Sequence, residues 1–177
     1  MLLTADAAVL LLIDLQQRLM PVIHDHEAVV ARAVRLAEAA QLLDVPIRAT
    51  EQNPAGLGST VPPLAAYPQA TLAKTTFSAA ADPGFSALLP GGAGQVIIAG
   101  VEAHVCVMQT VLGLLGSGRR VAVAADAVGS RDPADRAVAL DRARQHGAEV
   151  VTSEMVLFEW LHDSRHPKFR EVQKLLR

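Results

Sequence analysis

Short, largely apolar runs recur along the chain without alternation of polar and apolar residues. They cover residues 8–15, 45–50, 70–74, 95–101, 120–126 and 148–152. Strands of a parallel sheet are buried on both faces and have such continuous apolar runs, whereas half-exposed strands alternate. This pattern predicts six strands of a mainly parallel sheet.

Several segments between these runs have the spacing of apolar residues that is typical of helices. They cover residues 26–44, 106–118 and 132–147. The last has the clearest boundaries, because Asp132 is a suitable N-cap, Pro133 takes the first helical position and Gly147 follows the end. In contrast, residues 51–68 contain too much glycine and proline for a helix, and we expect a long loop there.

The alternation of strands and helices predicts an α/β fold. Right-handed crossovers between parallel strands place the helices on both faces of an open sheet. We therefore predict a doubly wound, Rossmann-like three-layer sandwich. The sequence has neither internal repeats nor a linker, so we predict a single domain over residues 1–177.

Candidate functional residues stand at the predicted carboxyl ends of five strands. Asp14 ends the first run, Glu51 follows the second and Lys74 ends the third. Cys106 follows the fourth run and Asp126 ends the fifth. Ligands bind at this edge of open α/β sheets. We therefore expect these charged groups to converge on the single thiol.

Composition narrows the class of protein. The chain of 177 residues is 51% hydrophobic and 19% charged, which is typical of a folded globular protein. Its net charge of -2 and its scattered basic residues argue against nucleic acid or an anionic membrane as the partner. A single cysteine excludes an internal disulfide, and no apolar run approaches the roughly 18 residues of a membrane span. We predict a cytoplasmic protein.

Cys106 has two interpretations. A lone cysteine is most often a small buried apolar residue. It is a good nucleophile only as a thiolate, and a position at the start of the predicted helix, with Lys74 nearby, would lower the pKa of the thiol. Asp14 would take up the thiol proton and return it to a leaving group, as acyl transfer through a thioester requires. The convergence of all three residues favours the catalytic interpretation.

Several longer stretches carry a resemblance to a known family. They are LLIDLQQRLMPVI, TEQNPAGLGSTVPPL, LAKTTFSA, IIAGVEAHVCVMQTVLGL and HPKFREVQKLL. In these stretches, which run from the first strand to the last helix, the chain resembles the isochorismatase-like cysteine hydrolase superfamily. Within that superfamily it resembles the metal-free branch, which includes the isochorismatase-domain-containing proteins and the YcaC-like hydrolases.

The resemblance implies a catalytic triad of Asp14, Lys74 and Cys106. Cys106 would be the nucleophile, Asp14 would be the general base and later the acid, and Lys74 would tune both. The resemblance also implies a cis peptide bond between Val101 and Glu102. The backbone N–H groups of Glu102 and Cys106 would form an oxyanion hole.

Two departures from other members of the superfamily narrow the expected chemistry. Nicotinamidase relatives carry an aspartate and two histidines that hold a metal just after the second strand, where this chain has no histidine. We therefore expect no catalytic metal and no other cofactor. True isochorismatases cleave a vinyl ether and lack the cysteine, so Cys106 favours a C–N or other acyl bond as the target.

Further residues are predicted to line a substrate pocket, namely Gln16, Glu51, Thr76, Phe77 and His104. Thr76 follows Lys74 closely enough to line the site, and the other four each have an alternative that the sequence leaves open. Gln16 could cap the turn after the first strand, and Glu51 could be a solvated loop carboxylate or a partner of Lys74. Phe77 could belong to the core, and His104 could lie in a contact between subunits.

We therefore expect a hydrolase that acts on an amide-like or other acyl bond of a small molecule. Two alternatives stay open. One is a catalytically idle, scaffolding member of the same fold. The other is a redox-responsive thiol protein, although the chain has no second cysteine to resolve an oxidised thiol. The expected partners are a small-molecule substrate and further copies of the chain in a homo-oligomer, with no nucleic acid and no membrane.

Overall fold

The computed structural model describes residues 2–176 and contains a six-stranded sheet in which all paired strands are parallel. The strands are β1 (Ala8–Ile13), β2 (Ile47–Gln52), β3 (Ala70–Lys74), β4 (Gln95–Val101), β5 (Arg120–Gly129) and β6 (Glu149–Val151). Their order across the sheet is β3-β2-β1-β4-β5-β6. The predicted six-stranded, mainly parallel open sheet is confirmed.

The α-helices of the described residues are α1 (His26–Leu42), α2 (Pro54–Leu57), α3 (Phe85–Leu88), α4 (Met108–Gly116), α5 (Pro133–Gln145), α6 (Ser153–Leu161) and α7 (Phe169–Lys174). A π-helical turn, Ala103–Val107, joins β4 to α4 and contains Cys106. The loop prediction for residues 51–68 is wrong in part. The strand β2 continues to Gln52, and Pro54 occupies the first position of the short helix α2, where its missing N–H costs nothing.

Each face of the sheet packs against its own layer of helices. On one face, Leu10 and Leu12 of β1 lie in a core that includes residues of α1, α6 and α7. On the other face, Val9, Leu11 and Ile13 pack with residues of α3, α4 and α5. Successive side chains of a strand point to opposite faces, so a central strand between two helical layers is apolar throughout. The predicted three-layer sandwich is confirmed.

The direction in which strands are added to the sheet reverses between β1 and β4. The chain proceeds outward from β1 to β3, returns to place β4 beside β1, and then proceeds outward on the other side to β6. The carboxyl ends of the strands at such a reversal border a crevice in which ligands bind. The residues that follow β1 and β4 are therefore the first candidates for a functional site.

Gly100 allows β4 to approach β1 closely just before this crevice. It lies opposite Ile13 in the parallel pairing and has a φ of 142°. A Cβ atom at this position would lie 2.2 Å from the backbone oxygen of Ile13. No side chain fits there, so glycine is required for the ends of the two strands to lie side by side.

Candidate active site

Asp14 and Lys74 form a buried ion pair at the carboxyl edge of the sheet. Asp14 directly follows β1 and has a positive φ of 53°, and Lys74 is the last residue of β3. Lys74 Nζ lies 2.8 Å from Asp14 Oδ2, and both side chains are 0% exposed. Because β2 lies between β1 and β3, the long lysine side chain spans the end of the middle strand to reach the carboxylate.

Other polar groups satisfy both charges of this ion pair. Lys74 Nζ also donates to Gln52 Oε1 at 2.8 Å and, at 3.2 and 3.3 Å, to the backbone oxygens of Thr76 and Phe77. Asp14 Oδ1 accepts a hydrogen bond of 2.6 Å from the Thr50 hydroxyl. Buried charges are tolerated only when they are paired and hydrogen-bonded in this way.

Cys106 completes the cluster from the π-helical turn after β4. The residue is only 6% exposed, and its thiol interacts with the Asp14 carboxylate and the Lys74 ammonium. Burial raises the pKa of the Cys106 thiol to about 12, and the charge of Asp14 adds to this effect while that of Lys74 opposes it. The prediction that Lys74 and the helix start hold the sulfur as a thiolate is therefore wrong. The raised pKa instead favours the protonated thiol.

Glu102 begins the turn that contains Cys106. The peptide bond between Val101 and Glu102 is cis. The Glu102 carbonyl accepts hydrogen bonds from the N–H groups of Val105 and Val107, which flank Cys106, at 3.0 and 3.2 Å. The Glu102 side chain is 13% exposed and pairs with Arg131, whose Nε donates to Oε2 at 2.8 Å.

Gln16 and Glu51 organise the chain beside the cluster. Gln16 is fully buried, and its side-chain amide bonds the backbone N–H of Gln52 and the backbone oxygens of Gln52 and Gly58. Glu51 Oε1 accepts hydrogen bonds from the backbone N–H and the hydroxyl of Thr60, at 2.7 and 2.8 Å. Both side chains therefore tie the segment after β2 to the sheet. The lysine partner on β2 is Gln52 rather than Glu51.

The other predicted pocket residues occupy different surroundings. Thr76 contributes its backbone oxygen to Lys74, and its hydroxyl donates to the Ser78 backbone oxygen. The Phe77 side chain is exposed, so the alternative that placed it in the core is wrong. Nδ1 of His104 lies 2.9 Å from the Ser130 hydroxyl and Nε2 lies 3.7 Å from Asp135, so the ring faces the start of α5.

Asp126 does not join the cluster. The strand β5 continues to Gly129, so this residue lies inside the strand rather than at its end. Its carboxylate accepts hydrogen bonds from the backbone N–H and the hydroxyl of Ser153, the first residue of α6. The expected convergence of Asp126 on the thiol is therefore wrong, because its side chain stabilises the start of a helix on the opposite face.

Sequence reasoning also missed residues that complete the site. Thr50, Gln52 and Arg131 are polar partners of Asp14, Lys74 and Glu102. The parallel register pairs Ile13 with Thr50, and a polar residue at that place in an apolar run was the available signal. Arg131 follows β5 by two residues and carried no comparable signal.

Within residues 2–176, no group of three or more His, Cys, Asp or Glu side chains could hold a metal ion. In the same part of the chain, no helix is both long enough and apolar enough to cross a membrane.

Comparison with known sequences identifies the family. The family model of the Isochorismatase domain matches residues 8–155. Isochorismatase domain-containing protein 2 of Danio rerio is 43% identical over 175 residues, which cover 98% of this chain and 89% of the relative. The Homo sapiens protein of that name is 40% identical over 173 residues, which cover 97% of this chain and 83% of the relative. The chain therefore belongs to the isochorismatase family, which confirms the resemblance found in its motifs.

Solved structures share the fold over nearly the whole chain. The MAR1 ribonuclease from Caenorhabditis elegans has a TM-score of 0.93 at 38% identity. The match covers 99% of this chain and 92% of the ribonuclease chain. YcaC from Pseudomonas aeruginosa, solved with hexane-2,5-diol and covalent acrylamide, has a TM-score of 0.90 at 26% identity, with 98% and 91% covered. YcaC from Escherichia coli, described as an octameric hydrolase of unknown specificity, has a TM-score of 0.86 at 26% identity, with 98% and 95% covered. Proteins of this fold family are generally hydrolases.

Proposed function

We propose that this protein is a cysteine-dependent hydrolase that cleaves an amide-like C–N bond, or another acyl bond, of a small molecule through a thioester intermediate. The observation that carries the proposal is the buried Asp14–Lys74 ion pair, whose two charges both act on the Cys106 thiol. A nucleophile beside a base that is oriented by a third group is the arrangement that covalent catalysis requires.

In the first half of the reaction, Asp14 acts as the base. As the sulfur attacks the carbonyl carbon, the thiol proton moves to the Asp14 carboxylate, so the total charge of the cluster does not change. The carbonyl π electrons move to the oxygen, where the N–H groups of Glu102 and Cys106 stabilise the negative charge. Lys74, whose Nζ lies 2.8 Å from Asp14 Oδ2, holds the carboxylate in position while the proton is transferred.

In the second half, Asp14 changes from base to acid and back. It gives the proton to the leaving nitrogen, the C–N bond breaks, and the acyl group stays on sulfur as a thioester. A water molecule then attacks the thioester while Asp14 takes one of its protons. When the C–S bond breaks, the proton returns to the sulfur and the resting thiol is restored.

One solved relative supports a reactive nucleophile in this fold. YcaC from Pseudomonas aeruginosa carries a covalent acrylamide, and acrylamide forms such adducts with nucleophilic side chains. Ribonuclease activity, which the name of the Caenorhabditis elegans relative implies for that protein, is less favoured for this chain. The carboxylates of Asp14 and Glu102 beside Cys106, and the net charge of -2, would repel a phosphate backbone.

The pH dependence of alkylation tests the proposal. Cys106 is the only cysteine, so the mass gained from iodoacetamide reports on this residue alone. If Asp14 takes the proton within the cluster, the rate constant stays nearly constant between about pH 7 and 10. If the proton must instead leave to solvent from a thiol of pKa about 12, the rate rises about tenfold per pH unit. That rise in the wild-type protein would refute the proposal. The matched variant Asp14→Asn has no base and should show the rise.

We also infer that the protein forms a homo-oligomer. The relative from Escherichia coli is described as octameric, and several large apolar side chains of this chain are exposed, among them Val22, Phe77 and Phe158. Exposed apolar side chains indicate a surface that packs against a partner where they form one contiguous patch. Size-exclusion chromatography with light scattering should give a mass that is a multiple of 18.7 kDa, and a monomeric mass would contradict the inference.

A further inference from the structure

In the proposed mechanism the backbone N–H of Glu102 stabilises the oxyanion, and the side-chain carboxylate of Glu102 takes no part. This carboxylate is 13% exposed and lies in the residue that opens the turn carrying Cys106. Its negative charge raises the pKa of the Cys106 thiol, as does burial, the largest cause. The charge of Glu102 therefore acts on the thiol although it is paired elsewhere.

The two oxygens of this carboxylate have different surroundings. Oε2 accepts the hydrogen bond from Arg131 Nε at 2.8 Å. Within residues 2–176, no protein group donates a hydrogen bond to Oε1. Arg131 is exposed and therefore acts as an anchor that holds the carboxylate in one orientation from the solvent side. The carboxylate is thus anchored through one oxygen at the start of the turn that carries Cys106, which leaves Oε1 as its second acceptor.

The charges around this acceptor indicate what it would bind. Glu102 and Asp135 are negative, and Arg131, on which both charges act, is positive. The local excess of negative charge is therefore unfavourable for an anionic group and favourable for a group that donates hydrogen bonds. An –NH2 group of a primary amide or a ureide donates two hydrogen bonds, whereas an ester oxygen at the same position donates none.

We propose that Glu102 is a specificity-determining residue whose Oε1 accepts a hydrogen bond from the –NH2 group of a primary amide or ureide substrate at Cys106, while Arg131 holds the carboxylate in place. This inference rests on the proposed function and names its substrate class. A site that offers a buried hydrogen-bond partner discriminates strongly against an analogue that cannot use it, because the partner is then left unpaired.

A pair of alkylating probes tests the inference. Iodoacetamide and methyl iodoacetate both react with Cys106 by forming an S–C bond as the C–I bond breaks, with iodide leaving and the thiol proton passing to Asp14. They differ in bearing –NH2 or –OCH3 on the carbonyl. The measured quantity is the ratio of their rate constants, divided by the same ratio for free N-acetylcysteine. Any general change in thiol reactivity cancels in this quotient.

We expect the wild-type quotient to exceed one by about tenfold, which is the scale of one hydrogen bond to a charged group. In Glu102→Gln, Arg131 takes the only remaining side-chain oxygen and the amide nitrogen faces the probe, so the quotient falls to about one. Arg131→Gln alters an exposed residue that should not affect folding, and it frees the carboxylate to move, so a fall of about threefold is expected. Asp141→Asn, which breaks the exposed ion pair with Arg144, is the matched control and should keep the wild-type quotient.

Two outcomes separate this inference from the proposed function. A quotient that is the same in the wild type, Glu102→Gln and Arg131→Gln overturns the role of Glu102, even where alkylation of the wild type stays independent of pH. An alkylation rate that rises about tenfold per pH unit in the wild type overturns the proposed function first. Thermal melting of each variant shows whether the fold is intact, and the Arg131 variant keeps the test decisive if Glu102→Gln unfolds.

Discussion

Asp14 and Asp126 are two aspartates from strands of one sheet, and their partners give them different chemistry. Asp14 is 0% exposed and lies between a lysine and a thiol. Asp126 is 30% exposed in its side chain, and Ser153 donates to both of its oxygens. The thiol beside Asp14 is a nucleophile whose proton that carboxylate could accept, whereas the N–H and hydroxyl of Ser153 hold Asp126 at the start of α6. The comparison teaches that the neighbouring donor decides whether a carboxylate can act as a base.

The largest expected effect is a loss of activity when Cys106, the thiol beside Asp14, is replaced. In Cys106→Ser the hydroxyl is a much weaker nucleophile than the sulfur, so kcat on any amide or ester that the wild type hydrolyses should fall by on the order of 10³-fold or more. Serine is close in size to cysteine, and the midpoint of urea unfolding should change little. Ser153→Ala, the equivalent change beside Asp126, should keep wild-type kcat. Full activity of Cys106→Ser would remove the distinction between the two aspartates.

The next effect is on stability. Asp14→Asn leaves the Lys74 ammonium buried without a counter-charge, and breaking a buried ion pair in this way costs about 3–5 kcal/mol in free energy of unfolding. Asp126→Asn keeps an oxygen to accept from Ser153, and the loss of a helix-start interaction costs about 1 kcal/mol. Urea unfolding monitored by circular dichroism measures both. Equal losses would show that Lys74 is not held by Asp14. The double variant Asp14→Asn with Lys74→Met should regain part of the stability, because it removes the unpaired charge.

The smallest expected effect on stability comes from removing one hydroxyl group beside each of the two aspartates. Thr50→Val is nearly isosteric and removes the 2.6 Å hydrogen bond to Asp14 Oδ1, which should cost about 1.5–3 kcal/mol because the acceptor is charged and buried. It should also lower kcat, since Asp14 loses an orienting contact. Ser153→Ala removes only one of the two bonds to Asp126, and its cost should be about 1 kcal/mol. A wild-type kcat in Thr50→Val would show that Lys74 alone orients the base.

Several parts of the fold and site were predictable because they depend on short stretches of sequence. The runs around Val9 and Ile98 are apolar on both faces, which only a strand between two helical layers requires. The edge rule then selected Asp14, Lys74 and Cys106 from the ends of such runs. The same rule wrongly selected Asp126, because β5 extends past this residue to Gly129. A run of similar residues does not show where its strand ends.

The charge on the sulfur was the property least accessible to sequence reasoning. The sequence showed an ammonium-bearing residue and a helix start near the thiol, and both favour a thiolate. It could not show that burial and the Asp14 carboxylate outweigh them, which raises the pKa of Cys106 to about 12. Electrostatic interactions depend on separations of a few ångströms and on exposure to water, and neither quantity is encoded in residue order alone.

Residue order was enough to specify the parallel α/β sandwich, the family and the identities of the three clustered side chains, because strand burial and the carboxyl-edge rule follow from local pattern. The folded chain was needed to join Lys74 to Asp14 across β2, to pair Arg131 with Glu102 and to assign Asp126 to a helix start. These contacts join residues between 27 and 60 positions apart, and only the packing of strands side by side brings such residues within hydrogen-bonding distance.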